Sequence, residues 1–421
     1  MADRGGKKLR IALCHPDLGI GGAERLAVDA AVELAALGHD VHIFTAHHDR
    51  KRCFEETIDG TFPVTVYGDF LPRHIFNRLH AVCAYIRCIY VAICMFFLWD
   101  KFDVVFADQV SAVIPVLKWK RGSKVLFYCH FPDLLLAQHT TRLRRLYRAP
   151  LNWVEETTTG KADCVLVNSE FTASTFSSTF TRLQARGLRP AVLYPAVNVN
   201  QFDTSLDNPP DLAFLPGFPA DGHTFLSINR FERKKNIALA ISAFATLVRQ
   251  QENSQLTSVS RQLVRLIVAG GYDQRLAENR EYLQELKTLA VEEGVAEQVI
   301  FLPSCSTSQR NALLAACICV LYTPMNEHFG IVPLEAMAAQ RPVVACNSGG
   351  PKESVQHAKT GYLCEPTPGS FASAMALILQ DPSRAEIMGK NARKHVEENF
   401  SRQVFGERLN SIIQDLVKGI S

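Results

Sequence analysis

The chain has 421 residues, 45 Lys+Arg against 42 Asp+Glu, a formal net charge of +3 and 47% hydrophobic residues. That length exceeds one ordinary hydrophobic core and leads to an expectation of two domains of about 200 residues each. With no concentrated basic stripe, nucleic acid is excluded as a partner, and the 12 cysteines, scattered without a CxxC pair or a Cys/His cluster at zinc spacing, read as small buried hydrophobes of a reducing compartment.

The first ten residues, MADRGGKKLR, carry charge but no apolar run of signal-peptide length, so the bulk of the chain is expected to face the cytosol. Apolar, β-branched runs then alternate with helix-length amphipathic stretches, the pattern of βα units that feed parallel sheets. The expected strands of the first half are Leu9–Cys14, Val41–Thr45, Val64–Tyr67, Val104–Ala107, Val125–Cys129, Cys164–Val167 and Val192–Tyr194. Those of the second half are Thr224–Ile228, Val264–Ala269, Val299–Leu302, Cys319–Tyr322 and Val343–Cys346. The fold class is therefore α/β, with two Rossmann-like, doubly wound parallel sheets. Residues 203–222 hold four prolines and two glycines and read as a linker between domains 1–202 and 223–396. The tail 397–421 carries an apolar helical stripe over Arg402–Val417, suited to packing back on the first domain.

One segment stands apart from this rhythm. Ala81–Trp99, AVCAYIRCIYVAICMFFLW, nearly reaches the length of about 20 residues that a spanning helix needs. Arg87 would then sit inside the bilayer, and the strands on either side belong to one sheet, so a crossing conflicts with the pattern. The expectation is a helix lying in or dipping into a membrane leaflet, with Phe96, Phe97 and Trp99 embedded and Arg73, Arg78 and Arg87 near headgroups. A buried core helix is the alternative.

The candidate site residues also fall in chain order. Gly19, Gly21 and Gly22 lie between the first strand and its helix, but Glu24 stands where a dinucleotide fingerprint needs a small residue, and the second strand ends in Thr45 rather than an acid. A nicotinamide-dependent oxidoreductase is disfavoured on that ground. A loop that lets a phosphate or acceptor approach the backbone competes with a plain tight turn. His130 follows the expected strand Val125–Cys129 at its carboxyl end, where it can hydrogen-bond a sugar hydroxyl or an acceptor; a satisfied structural histidine is the alternative. Arg230 ends the second domain's first strand and Lys235 precedes the amphipathic helix after it, where the two can neutralise the charge of a departing nucleoside diphosphate. Arg233 and Lys234 between them read as a solvated basic loop.

The segment PMNEHFGIVPLEAM follows. Pro333 points to a short helix over Leu334–Ala339, and the unpaired N–H groups of Gly330, Ile331 and Val332 before it, with Phe329, form a seat for a diphosphate. Glu327 and Glu335 suit sugar and ribose hydroxyls, which donate hydrogen bonds; a solvated Glu327 and a Glu335 that merely favours a helix start are the alternatives. No D-x-D occurs anywhere, which leaves basic side chains and helix ends for the leaving-group charge, so neither a metal nor a cofactor is expected.

Taken together, GGAERLAVDAA, FYCHFPDLLL, NRFERKKN and NEHFGIVPLEAM resemble the family-four retaining glycosyltransferases. That family's pattern is an early Gly-Gly turn, Arg-x4-Lys, and Glu-x7-Glu followed by Gly-Gly-x-x-Glu. The resemblance covers nearly the whole chain and is strongest to the mannosyltransferases of dolichol-linked oligosaccharide assembly. It implies the GT-B fold, two domains facing a cleft, with GDP-mannose as donor and a dolichol-linked oligosaccharide acceptor, mannosyl-chitobiosyl-diphosphodolichol. It further implies addition of an α-1,3 and an α-1,6 mannose at the cytosolic face of the endoplasmic reticulum membrane, and association with other early mannosyltransferases of that route. By the same resemblance Arg230 and Lys235 grip the donor diphosphate, Glu327 the mannose hydroxyls and Glu335 the ribose. His130 addresses the reacting face, Gly21 and Gly22 lie beside the donor, and the acceptor attacks from the front face. His328 departs from the small or aliphatic residue more common after the first glutamate. A catalytically silent scaffold of the same fold is the competing reading, against which the joint presence of Arg230, Lys235, Glu327 and Glu335 stands.

Overall fold

The computed structural model describes residues 7–75, 79–136, 142–203, 212–215, 222–253 and 263–420. Most of the expected linker 203–222, and Arg78, lie outside them. The chain forms two units, Met1–Ala196 with Arg402–Ser421, and Val197–Ser401.

In the first unit seven strands run parallel: β1 (Arg10–His15), β2 (Asp40–Thr45), β3 (Val64–Val66), β4 (Val104–Asp108), β5 (Lys124–Cys129), β6 (Cys164–Val167) and β7 (Ala191–Val192), in the order β3-β2-β1-β4-β5-β6-β7. They read as continuous apolar runs because both sheet faces are covered. Along β1, Ile11 and Leu13 enter one layer while Ala12 and Cys14 enter the other, the period-two alternation of a strand with no solvent face. The first layer is completed by helix Gly22–Ala36, through Leu26, Val28 and Leu34. The C-terminal helix Arg402–Lys418 adds Phe405, Leu409, Ile413 and Leu416 to the same layer. Arg402 fixes that helix with ion pairs to Glu33 at 3.2 Å and Asp29 at 3.4 Å.

Helix His80–Leu98 closes the other face, and two expectations about it need correction. Arg87 is not at a headgroup level but buried, donating from Nη2 to the Ala46 carbonyl at 2.9 Å. Trp99 packs edge-on to Phe44 and His42 and donates Nε1–H to the Tyr67 hydroxyl at 2.9 Å. A tryptophan just past a helix end falls inward here because the sheet offers it both an aromatic wall and an acceptor. Cys88, Val91, Ala92 and Met95 face the same core. The outward side differs: Ile86 is exposed, and Phe97 and Leu98 are 73% and 65% exposed. Because β3 and β4, on either side of the helix in sequence, belong to one parallel sheet, the helix is a crossover connection, although it is long and apolar enough to cross a membrane.

The second unit holds β8 (His223–Ile228), β9 (Val264–Gly270), β10 (Val299–Pro303), β11 (Cys319–Tyr322), β12 (Val343–Cys346) and β13 (Gly361–Cys364), all parallel, in the order β10-β9-β8-β11-β12-β13. The last is an addition to the expected set. GYLC is short and only partly apolar, and it becomes a strand by pairing at the edge with β12 over Val343–Cys346. Helices Ile237–Asn253 and Pro368–Gln380 pack together on one face.

Both sheets reverse strand order at one place, between β1 and β4 and between β8 and β11. In open parallel sheets such switch points, at the carboxyl ends of the strands, are where ligands bind.

Candidate functional site

At the second unit's switch point β8 ends at Ile228, and the following loop is pinned by an apolar anchor. Phe231 is fully buried, its N–H bonds the Gly271 carbonyl at 3.0 Å, and its own carbonyl accepts from Asn279 Nδ2 at 3.0 Å. The basic residues around it are thereby fixed in place. Lys235 turns inward: Thr323, just past β11, donates its hydroxyl to the Lys235 carbonyl at 2.8 Å, and the Lys235 ammonium forms an ion pair with Glu327. Arg230 is 62% exposed and pairs with Glu232 at 3.0 Å, which leaves most of its donors facing solvent. Arg233 is engaged with Glu281 and Glu285.

Glu327 is held by backbone. Its carbonyl accepts the Gly350 N–H at 2.9 Å, and the Gly349–Gly350 turn lies so close that a Cβ on Gly349 would come within 2.4 Å of that oxygen. A Cβ on Gly350 would come within 2.2 Å of the Phe329 carbonyl, so the Gly-Gly pair is a packing requirement of this loop. Burial pushes the Glu327 carboxyl up, but the adjacent Lys235 ammonium outweighs it and holds the group below its ordinary value. The Tyr322 hydroxyl, last on β11, is hydrogen-bonded to Glu327; burial and the carboxylates of Glu327 and Glu335 keep it protonated far above the usual phenol range.

The helix after this loop begins at Ile331, not Leu334, with Gly330 before it at φ 87° and no side-chain cap. Pro333 is then the third helical residue, where the missing N–H still costs no intrahelical bond. The uncapped N–H groups of Ile331 and Val332 remain at the positive helix end, while Phe329 is buried against the Phe400 ring. Glu335 lies in the second turn, buried, with its Oε1 on Arg310 Nη1 at 2.9 Å. Burial raises its pKa, and Arg310 offsets that only in part.

The first unit's switch point is built differently. Asp108, the last residue of β4, is buried between two imidazoles: His15 Nδ1 lies 2.8 Å from Oδ2, and His130 Nε2 lies 2.8 Å from Oδ1. Burial works against ionisation, but the two histidines outweigh it and bring the Asp108 pKa down to about 2. His15 is likewise held above its ordinary value, because the Asp108 carboxylate outweighs the effect of burial. Gly21 caps helix Gly22–Ala36, and its flank is occupied by the Glu24 side chain, whereas the flank of Gly22 is open. Beyond His130 the chain turns into helix Asp133–Leu136, whose first N–H groups, of Asp133 and Leu134, donate to Glu155 at 2.7 and 3.2 Å. Burial pushes the Glu155 carboxyl up to about 7.

Each unit thus gathers part of the expected set: Lys235 meets Glu327 in one, His130 stands beside the first β-strand's histidine in the other. Asp108, Tyr322 and Arg310 were not expected. The first two end β4 and β11, strands that border the switch points, and that position is the signal that marks them.

Comparison with known proteins bears on the same segments. Residues 20–201 match the family Glycosyltransferase Family 4, and residues 212–395 match Glycosyl transferases group 1. The Homo sapiens protein Alpha-1,3/1,6-mannosyltransferase ALG2 is 49% identical over 97% of both chains. The Dictyostelium discoideum protein of the same name is 47% identical over 97% of this chain and 99% of its own, and that of Saccharomyces cerevisiae is 39% identical over 97% and 85%. Among solved structures, the sucrose-phosphate synthase of Thermosynechococcus elongatus superposes with a TM-score of 0.76 at 21% identity, covering 98% of this chain and 100% of its own. Anabaena Alr3699/HepE, in complex with UDP-glucose, gives 0.69 at 19%, covering 97% and 100%. These two likenesses establish the two-domain GT-B fold.

Proposed function

The chain belongs to the α-1,3/1,6-mannosyltransferase family, and from that premise we propose GDP-mannose as its donor and a dolichol-linked mannosyl-chitobiose as its acceptor. It is a glycosyltransferase that moves mannose. The observation that carries the donor reading is the Lys235–Glu327 pair at the switch point of the second unit, beside an uncapped helix start. A lone buried ammonium would be costly; parked on Glu327 it is available to a diphosphate, and a carboxylate so released accepts hydrogen bonds from sugar hydroxyls. Lys235 and Arg230 then stabilise the charge that grows on the leaving GDP, with the N–H groups of Ile331 and Val332. Glu335 takes the ribose hydroxyls, Arg310 compensating its buried charge. Gly22, whose flank is open, leaves room beside the donor, whereas the flank of Gly21 is filled by Glu24, and His130 meets the transferred mannose. With no carboxylate assigned as nucleophile, retention follows from front-face attack, the leaving phosphate oxygen accepting the proton of the acceptor hydroxyl as the glycosidic bond breaks. Basic side chains do the work a divalent cation does elsewhere, so no metal or cofactor is required.

The acceptor's lipid argues for work at a membrane surface, at the cytosolic face of the endoplasmic reticulum and beside other early mannosyltransferases. Support comes from the outward side of helix His80–Leu98. Phe97 and Leu98 are exposed there, and Trp119, 63% exposed, lies edge-on to Phe96 at 6.1 Å, with Lys101, Lys118 and Arg121 exposed nearby in the chain. Exposed aromatics with basic neighbours suit a leaflet interface.

Incubating the purified chain with GDP-mannose and the lipid-linked mannosyl-chitobiose, then sizing the released glycans, tests the function. Stepwise growth by one and two hexoses, sensitive to α-mannosidase, is expected; unchanged acceptor would refute it. Changing Phe97, Leu98 and Trp119 to Ser should lower binding to anionic vesicles while leaving GDP-mannose affinity intact; undiminished vesicle binding would refute the surface assignment.

A further inference from the structure

Asp108 makes the two histidines unequal partners of a ligand. An ionised carboxylate accepts hydrogen bonds and cannot donate, so both of its 2.8 Å contacts must be N–H groups of the imidazoles. Once deprotonated at alkaline pH, an imidazole carries a single N–H. His130 therefore spends its proton on Nε2 and keeps the lone pair on Nδ1, while His15 spends its proton on Nδ1 and keeps a buried Nε2 that meets no hydrogen-bond partner. The His15 ring is fully enclosed and the His130 ring is partly open to solvent, so only His130 can present its free nitrogen to a ligand. Its ring is also wedged: Tyr128 packs at 4.8 Å between centroids, and Asn168 Nδ2 holds the His130 carbonyl at 2.9 Å.

We propose that Asp108 is a positioning residue that locks His130 in the Nε2–H tautomer, so that His130 Nδ1 is an acceptor for a sugar hydroxyl, and that His15 secures the carboxylate by occupying its other oxygen. This rests on the role given to His130 above and names the chemistry it recognises. A hydroxyl is accepted; a carbonyl or phosphoryl oxygen at the same place is not, since neither offers a proton. Asn in place of Asp108 breaks the arrangement, because its amide nitrogen donates where one of the histidines must also donate. Loss of a buried aspartate that sets a histidine's tautomer costs roughly 10⁴ in rate in serine proteases, whose triad is the reference case for this effect.

The test is nitrogen NMR of the full chain carrying ¹⁵N-histidine, with the signals of His15 and His130 among the 13 histidines assigned from His15→Gln and His130→Gln. In the wild type at alkaline pH, His130 should show a protonated Nε2 and an unprotonated Nδ1. In Asp108→Asn the tautomer should reverse or average, and kcat should fall by roughly 10–10², no further than on loss of His130 itself, while the KM for GDP-mannose moves less than about threefold. A wild-type His130 in the Nδ1–H form, or averaged between forms, overturns the proposal, as does an Asp108→Asn enzyme within about threefold of wild-type kcat. The wild-type spectrum decides even where Asp108→Asn does not fold. A wild-type chain that transfers no mannose would sink the proposed function, and the tautomer would still be read independently.

Discussion

The two switch points occupy the same place in two sheets of the same topology, yet their chemistry differs. In the second unit Lys235 sits on Glu327 and Glu335 on Arg310, so each of these two carboxylates has an opposite charge that a ligand can replace. In the first unit one carboxylate, Asp108, serves two imidazoles. A doubly wound sheet fixes where a site can be and leaves what it does to the few residues that end its central strands. The charge-rich edge suits a diphosphate, and the histidine edge suits hydroxyls.

That contrast can be broken most sharply at Lys235. Lys235→Ala should lower the transfer rate by roughly 10²–10³ with the fold intact, the cost of one removed electrostatic stabiliser. Activity within a few-fold of wild type at equal protein level would remove Lys235 from the site. At the other edge, His130→Gln should reduce kcat by roughly 10–10² and leave the KM for GDP-mannose nearly unchanged, since a general hydrogen-bonding group near the reaction acts mainly on the transition state. A rise in KM alone would assign His130 to ground-state binding instead.

A smaller effect separates the units by pH. The Glu155 carboxyl, which anchors the helix start just past His130, is raised to about 7 from an ordinary 4.5. A carboxyl raised on folding stabilises the protein below its unfolded value, and that contribution is lost as pH rises through the folded value. Unfolding followed by a first-unit fluorophore such as Trp99 should therefore show stability falling between pH 5 and 8, by at most about 1.4 kcal/mol per pH unit for one proton. Glu155→Gln should flatten that slope; an identical slope in the variant would place the titration elsewhere. Least of all should change on chelation: turnover in EDTA is expected within about twofold of the untreated enzyme, on the proposal that basic side chains take the place of a metal on the diphosphate. Loss on chelation with rescue by manganese would overturn that.

Much of this was legible in the residues, for identifiable reasons. Strands buried on both faces write themselves as apolar runs, so twelve of the thirteen among the described residues were visible, and β13 was not because GYLC becomes a strand only through its neighbour β12. Lys235 and Glu327 were legible as residue types in a pattern, but their pairing across 92 positions was not. Arg310 is no more visible as the partner of Glu335, since a long-range ion pair leaves no local periodicity. Trp99 and Phe97, two residues apart in one aromatic run, read alike; only the Tyr67 hydroxyl and the Phe44 ring send the first inward and leave the second exposed.

The division of labour between the two edges is tested most directly by GDP affinity, measured by calorimetry on the wild type, Lys235→Ala and His130→Gln. Lys235→Ala should weaken GDP by roughly 10–100-fold, the worth of a charge-assisted contact to phosphate, and His130→Gln should leave it within about twofold. GDP binding lost in His130→Gln and retained in Lys235→Ala would contradict the account.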